Sequence, residues 1–374
     1  MKIDRIETIP LRIPFIDPFT IAAEFEKSRH SIDVLIVKIH TDEGLFGIGE
    51  TQAWRRQGSS EVLENLAFTI KSIYEPLMVG RSPFDINAIM HLCNTAVYNS
   101  LYAQAAIGDA LYDLMGKALS VPVYQLLGGL CRDRVQVGIC VPIFEDRSIM
   151  LEKAQKFYEK GYRHIRIKIG IDPKDDVENA RVFRGYFGDR ITLRADANAG
   201  MNYPEALRLL KKLEPFDFDM VEQLIPLWDL KGLADLARHT SIPLSVDESV
   251  SNTHSLLEVI SERAASIVQT KTGKNGGIFY TRKLWEIASS AGMNIFPGNH
   301  PTTSIGCAAV THLAAAWAGP LMVGDYQNAL DGVLVSDIVT QPLQIVDGVI
   351  PVPQGPGLGM ELDEDKLKFY RIDC

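Results

Sequence analysis

Three acidic residues and a lysine recur at a step of about 25 residues, each near the end of an apolar run that reads as a β-strand. Asp196 lies in ITLRADAN, Glu222 in DFDMVEQ, Asp247 in IPLSVDES, and Lys271 ends ASIVQTK. That step is close to one βα unit, so the pattern predicts successive parallel strands whose C-terminal ends ring one mouth. Three carboxylates converging there without cationic partners would repel one another. A hard divalent cation relieves the repulsion, and an all-oxygen ligand set suits Mg²⁺, with Mn²⁺ as a substitute. Asn198 and Glu248, close behind Asp196 and Asp247, fall beside such an ion.

One unit before Asp196, the run HIRIKIG carries Arg166 and Lys168 two positions apart, on one face of a strand. A lysine next to a fixed positive charge is expected to have a lowered pKa, because a like charge disfavours the ammonium form, and this makes Lys168 a candidate base. Lys271 falls about four units further round, roughly across the mouth. Two lysines on opposite sides of a metal-held carboxylate each reach one face of its α-carbon, and the cation stabilises the dianion formed when the α-proton leaves. A single acid at a strand end is most often a helix cap or a solvated loop residue, and Arg166 alone could pair with a loop carboxylate. The argument rests on the set, in phase with five consecutive strands.

The elements needed to position that set are visible in the 374 residues. IDRIETIPLRI and DVLIVKIHTDEGLFGIGET read as antiparallel strands, with a hairpin turn at Asp42, Glu43 and Gly44. Pro18 to Arg29 falls between strands and is expected to act as a lid. SSEVLENLAFTIKSIYEPLM reads as a helix after a serine cap, followed by helices in SPFDINAIMHLCNTAVY and AQAAIGDALYDLMGKAL, the last rich in small residues on one side. The Gly-punctuated PVYQLLGGLCRDR is the best boundary. From Val135, eight strand-like runs alternate with helical stretches, which predicts a TIM-type barrel. The division is an α+β capping domain over 1–125, completed by a tail from about 350–374, and a barrel over 126–349.

Hydrophobic content of 46% and charged content of 23% are ordinary for a soluble globular protein. The net charge of −9 argues against nucleic acid or an anionic membrane as the main partner, but not against a small anionic substrate, because local lysines and a metal can dominate the field inside a mouth. Five scattered cysteines with no CxxC fit a reducing compartment. Neither a signal peptide nor a membrane-spanning run is apparent, so a cytoplasmic enzyme is expected.

On these residues the chain resembles the enolase superfamily, in the branch of muconate cycloisomerases within the mandelate racemase/muconate lactonizing enzyme family. The resemblance spans the capping domain, the helix AIGDALYDLMGKAL followed by PVYQLLGG, the acid series and the tail GVIPVPQGPGLG. It implies a modified barrel, (β/α)7β, with Asp196, Glu222 and Asp247 as Mg²⁺ ligands, Lys168 as the second lysine of a Lys-x-Lys motif, Lys271 ending the sixth strand, and a homo-oligomer. Glu248 is then placed to polarise Lys271. The motif here is Arg-x-Lys, and Arg166 cannot exchange a proton at useful pH, although it can still supply charge. His300, in PGNHPTT, lacks the aspartate partner that the mandelate racemase branch would supply where this chain has Lys271. It reads as a substrate-binding or secondary acid group, or as a loop residue capping the next helix with Thr302 and Thr303. Asp325 stands alone in GDYQ, which disfavours the relatives that epimerise dipeptides. Trp54, Arg55 and Arg56 either face the substrate or cover the barrel rim. The implied activity is proton abstraction α to the carboxylate of a small substrate, through an enolate, in a cycloisomerase or racemase/epimerase. The alternatives are a dehydratase of hydroxy or hydroxyamino acids, and a barrel that binds metal and carboxylate without turnover.

Overall fold

The computed structural model describes residues 1–22, 29–52, 61–144, 146–326 and 333–372. Trp54, Arg55 and Arg56, and 23–28 of the expected lid, lie outside these residues. Strands β1 (Ile3–Phe19), β2 (Arg29–Thr41) and β3 (Phe46–Gln52) form an antiparallel sheet, with the turn between β2 and β3 where Asp42, Glu43 and Gly44 place it. The run VLIV in β2 is apolar throughout because both sheet faces are covered. Leu35, Val37 and Ile39 pack with the helices of the same domain, while Ile32, Val34 and Ile36 join the core shared with the barrel.

Those helices are α1 (Leu63–Phe68), α2 (Glu75–Met78), α3 (Ile86–Ala96) and α4 (Leu101–Leu119), followed by the short α5 (Val123–Leu126). The helix expected from Ser59 onward is interrupted within the described residues. Its serines lie outside the described residues, and α1 starts after Val62, whose N–H donates to Asn65 Oδ1 at 2.7 Å. Between α1 and α2 the chain makes a π-helical turn, Thr69–Tyr74, in which the Glu75 N–H reaches Ile70. Pro76 follows at once, and its missing N–H and bulky ring disrupt the ordinary i→i−4 ladder there. Helix α4 lies directly on β3: a Cβ at Gly49 would come 2.1 Å from the Ala106 carbonyl oxygen.

The barrel strands are β4 (Arg134–Val141), β5 (His164–Lys168), β6 (Thr192–Asp196), β7 (Phe218–Glu222), β8 (Leu244–Val246), β9 (Ile267–Lys271), β10 (Asn294–Gly298) and β11 (Gly324–Asp325). All pair in parallel in chain order, and β11 returns to β4, closing the ring. Seven helices fill the crossovers: α6 (Arg147–Glu159), α7 (Pro173–Phe187), α8 (Tyr203–Leu213), α9 (Leu230–Arg238), α10 (Thr253–Glu262), α11 (Gly277–Ser290) and α12 (Ser304–Ala316). The fold is therefore a (β/α)7β barrel: the strand rhythm predicts a TIM-type barrel, and the family resemblance implies this modified form. Strand β12 (Val349–Pro351) runs antiparallel to the start of β4, and α13 (Glu364–Tyr370) then reaches the first sheet, where Lys38 pairs with Glu364 at 2.8 Å and the Ile372 N–H donates to the Pro10 carbonyl.

The two halves meet through buried carboxylates. Asp109 of α4 accepts from the Ile278 N–H at 2.8 Å, serving a helix, α11, whose own N-cap is the side-chain-less Gly276. Burial pushes the Asp109 carboxyl up to about 7, with the Ile278 hydrogen bond pulling back and Glu50 adding to the rise. The folded chain thus holds this proton more tightly than the unfolded chain does. The stability it contributes is present below about 4 and is lost as pH rises through about 7, at up to about 1.4 kcal/mol per unit. Asp109→Asn keeps the acceptor oxygen and removes the titration. Its melting temperature should therefore fall less than the wild type's between pH 5 and pH 8; equal falls would place the cause elsewhere.

Candidate active site

Strand register sets the site. Lys168 pairs with Asp196 and Asp196 with Glu222 across β5, β6 and β7, so the three lie level at the barrel's C-terminal mouth. Glu222 pairs in turn with Ser245, and the chain continues past β8 to Asp247. Lys271 ends β9, four strands round an eight-stranded ring from Lys168, which puts the two lysines on opposite sides. Asp196, Glu222 and Asp247 are 1%, 0% and 1% exposed, so their charges must be answered from within the protein.

They are answered by cations, and this corrects the premise of uncompensated acids. Lys168 Nζ lies 2.5 Å from Asp196 Oδ2, Arg166 Nη1 2.7 Å from Glu222 Oε2, and Lys271 Nζ 2.5 Å from Asp247 Oδ2. Arg166 Nη1 also approaches Asp196 Oδ2 at 3.3 Å. Arg166 and Lys168 therefore share a carboxylate oxygen rather than facing each other directly. The arginine's expected partner in a loop proves to be a set of strand-end acids. Asn198 accepts from Lys168 Nζ at 2.8 Å and donates to Asp196 Oδ2 at 2.9 Å and to Glu248 Oε1 at 3.3 Å, tying the β6 and β8 ends together.

Four residues escaped the sequence reading as parts of this site. Lys274 Nζ sits 2.6 Å from Asp247 Oδ1 and also donates to the Asp247 carbonyl; its signal was the KTGK spacing just past Lys271. Asp325, on the two-residue β11, lies 2.7 Å from Arg166 Nε. Gln269, in the amide orientation that suits its neighbours, donates to Glu222 Oε1 at 2.6 Å and Asp247 Oδ2 at 3.1 Å while accepting from Arg166 Nη1 at 3.1 Å. Gln223 Oε1 accepts from the Asp247 and Ser249 N–H groups at 3.0 and 3.1 Å, holding the turn after β8. Asn198 and Gln223 occupy left-handed backbone at φ 47° and 36°, a conformation that costs non-glycine residues energy and clusters at functional sites.

Electrostatically, burial pushes the Glu222 carboxyl up from the ordinary range, with Arg166 pulling back and Asp196 and Asp247 adding to the rise. Burial acts the same way on Asp247, but Lys271 and Lys274 outweigh it and hold that carboxyl well below the ordinary range. His300 sits between β10 and α12, 5% exposed, its ring stacked on Tyr102 of α4 at 5.9 Å and 11°. The N-cap of α12 is Thr303, whose side chain accepts from the Ile305 N–H.

The donor set fits a hard divalent ion in kind: three buried carboxylates from three consecutive strands, all oxygen, one of them under-compensated enough that burial raises its proton affinity. Among the described residues these oxygens do not gather round one point, because each acid is turned to its own cation. No described helix is long and apolar enough to cross a membrane.

Residues 6–128 match the family described as the mandelate racemase / muconate lactonizing enzyme N-terminal domain, and residues 149–366 the family described as enolase C-terminal domain-like. The chain is 30% identical to the N-succinyl-L-Arg/Lys racemase of Bacillus cereus, the alignment covering 100% of this chain and 98% of that one. It is 31% identical to muconate cycloisomerase 1 of Rhodococcus opacus, over 99% and 98% of the two chains. The crystal structure of muconate lactonizing enzyme from Pseudomonas fluorescens complexed with muconolactone is similar with a TM-score of 0.93, at 28% identity and with 99% of each chain covered. With both of its domains matched and its barrel shared, this chain belongs to the mandelate racemase / muconate lactonizing enzyme family of the enolase superfamily and is an enzyme of the isomerase type.

Proposed function

We propose that the enzyme removes the proton α to the carboxylate of a small substrate, in a Mg²⁺-dependent reaction through an enolate, and acts as a cycloisomerase or a racemase/epimerase. The observation that carries this reading is the pair of buried lysines, Lys168 and Lys271, on opposite sides of one mouth, each against a carboxylate. Asp196, Glu222 and Asp247 are the residues that would hold the ion, which when bound supplies positive charge against the dianion that develops on the substrate carboxylate.

Lys168 Nζ serves one face as the proton-transfer group, and Lys271 Nζ serves the other face. In a racemase both move a proton. In a cycloisomerase one moves it and the other assists by charge. Arg166, always protonated, moves none; it holds Glu222, Asp196 and Asp325 in place. Lys168 and Lys271 are 4% and 5% exposed, which keeps bulk water from the proton as it moves. The second reading, a dehydratase, draws on His300, buried beside Tyr102 and able to help hydroxide leave.

The test is proton exchange in D₂O with Mg²⁺, followed by ¹H NMR over a panel of N-acyl amino acids, dipeptides, prolines, muconates and hydroxy acids. The expected result is loss of an α-proton signal with inversion, or a lactone from muconate. A new alkene or keto product would select the dehydratase. No exchange across the panel, with Mg²⁺ still bound, would count against proton abstraction α to the carboxylate of these substrate classes.

A further inference from the structure

The capping-domain strand β3 ends in two polar residues that point away from their own domain. Glu50 and Gln52 are 2% and 3% exposed. The Glu50 carboxylate accepts from Thr302 Oγ1 at 2.5 Å, Thr303 Oγ1 at 2.6 Å, the Gly306 N–H at 2.9 Å and the Thr303 N–H at 3.1 Å. Gln52 Nε2 donates to Glu50 Oε1 at 3.0 Å and to Thr302 Oγ1 at 2.9 Å. All the barrel partners lie in one stretch, the two threonines after His300 and the first turn of α12.

The arrangement has the logic of a capping box built from two domains. Ordinarily an acid at the third helical position reaches back to the N-cap N–H. In α12 that third position is Gly306, which has no side chain to offer. Glu50 supplies the missing carboxylate from some 250 residues away, taking both the N-cap and the third N–H. Gly306 is required for this: a Cβ there would come 2.2 Å from Thr302 Oγ1 and 3.3 Å from Glu50 Oε2. A negative charge at a helix N-terminus is also favoured by the helix dipole. The same strand end reaches the neighbouring loop, since a Cβ at Gly273 would lie 2.6 Å from Gln52 Oε1, and Gly273 separates Lys271 from Lys274.

We infer that Glu50 is a positioning residue: it fixes the turn from β10 to α12 and thereby sets where His300 presents its ring at the mouth. Its effect on catalysis rests on the function proposed above; its effect on the ring does not. Thr302 and Thr303 directly follow His300 and Pro301, so a shift of the clamped threonines moves the histidine with them. Tyr102, stacked on that ring, belongs to the same capping domain as Glu50, so one domain grips the turn at two points.

His312, nine positions into α12, is an internal control. It is 0% exposed, its Nε2 lies 3.2 Å from the Leu358 carbonyl oxygen, and its ring sits on Tyr124 at 5.8 Å. The experiment is ¹H–¹³C NMR of the histidine rings in the full chain, with His300 assigned by the signal lost in His300→Asn. Glu50→Gln keeps the shape but turns an amide NH₂ toward N–H and O–H donors. The expected result is a shift of the His300 signal with His312 unmoved and the far-UV circular dichroism unchanged. Where the exchange experiment selects the dehydratase, in which His300 helps hydroxide leave, kcat should fall by up to about 10²-fold, the loss that a displacement near 1 Å can bring, with a smaller change in KM. An unmoved His300 signal in folded Glu50→Gln, or His300 and His312 moving together, would overturn the inference. If Glu50→Gln does not fold, Glu50→Asp, which keeps the charge on a shorter arm, takes its place under the same criteria. Loss of the fold in both would make Glu50 structural only. Should no substrate show exchange in the wild type, the ring shifts still decide the matter and only the proposed function falls.

Discussion

Asp247→Asn is expected to lose at least about 10³-fold in activity and to destabilise the protein by about 3–5 kcal/mol, the loss typical of breaking a buried ion pair from one side. The reason is that Asp247, 1% exposed, answers Lys271 and Lys274 at 2.5 and 2.6 Å. Asparagine keeps the shape but leaves two largely buried ammonium groups against a neutral amide, and removes one of three carboxylates proposed to hold the cation. The sequence argument alone would leave the fold untouched by this change; the paired lysines make a stability loss part of the expectation. Thermal melts with and without Mg²⁺, beside kcat/KM on the substrate identified by exchange, decide it. Full activity with an unaltered Mg²⁺ requirement would refute the metal assignment, and an unchanged melt would refute the buried-pair argument.

The second large effect concerns the lysines. Lys168→Met and Lys271→Met preserve side-chain length and remove the proton carrier, a change that typically costs about 10²–10⁴-fold. Because the two sit four strands apart, each variant should abolish exchange from a different face of a chiral substrate while the other face still exchanges. Deuterium incorporation into the separate enantiomers reads this out. Loss of the same face in both variants would mean that the lysines share one side. The partners left behind differ: Asp196 keeps Arg166 and Asn198, whereas Asp247 keeps Lys274.

Much of this site was legible because barrel chemistry leaves a mark in linear order. Asp196, Glu222, Asp247 and Lys271 recur once per βα unit since each closes a strand at the same end of the ring, and the register confirms that Lys168, Asp196 and Glu222 lie level. Legibility failed where contacts join residues distant in sequence. Asp325 ends a two-residue strand too short to show a period, yet it sits on Arg166, on the far side of the seam where the barrel closes. Gln269 is one of an apolar-flanked strand's inward residues, and nothing in IVQTK tells that its amide bridges two acids. Polarity alone could not show that every carboxylate had its own cation, because opposite charges on neighbouring strands look independent in sequence. The interruption between α1 and α2 was readable in principle, from Pro76.

The carboxylates lent across the domain junction bear on inheritance and synthesis as well as on packing. Two barrel helices begin with ends that their own sequence does not complete: α11 behind Gly276, and α12 with Gly306 at its third position. Asp109 and Glu50 complete them from the first third of the chain. On the ribosome those acids emerge before the helices they finish. The same debt constrains recombination. A barrel grafted onto a foreign cap keeps its mouth and all its strand-end residues, yet begins α11 and α12 unfinished unless the donor brings acids at both positions. Exchange of whole halves between relatives is thereby limited to partners that match at two buried points, Asp109 and Glu50.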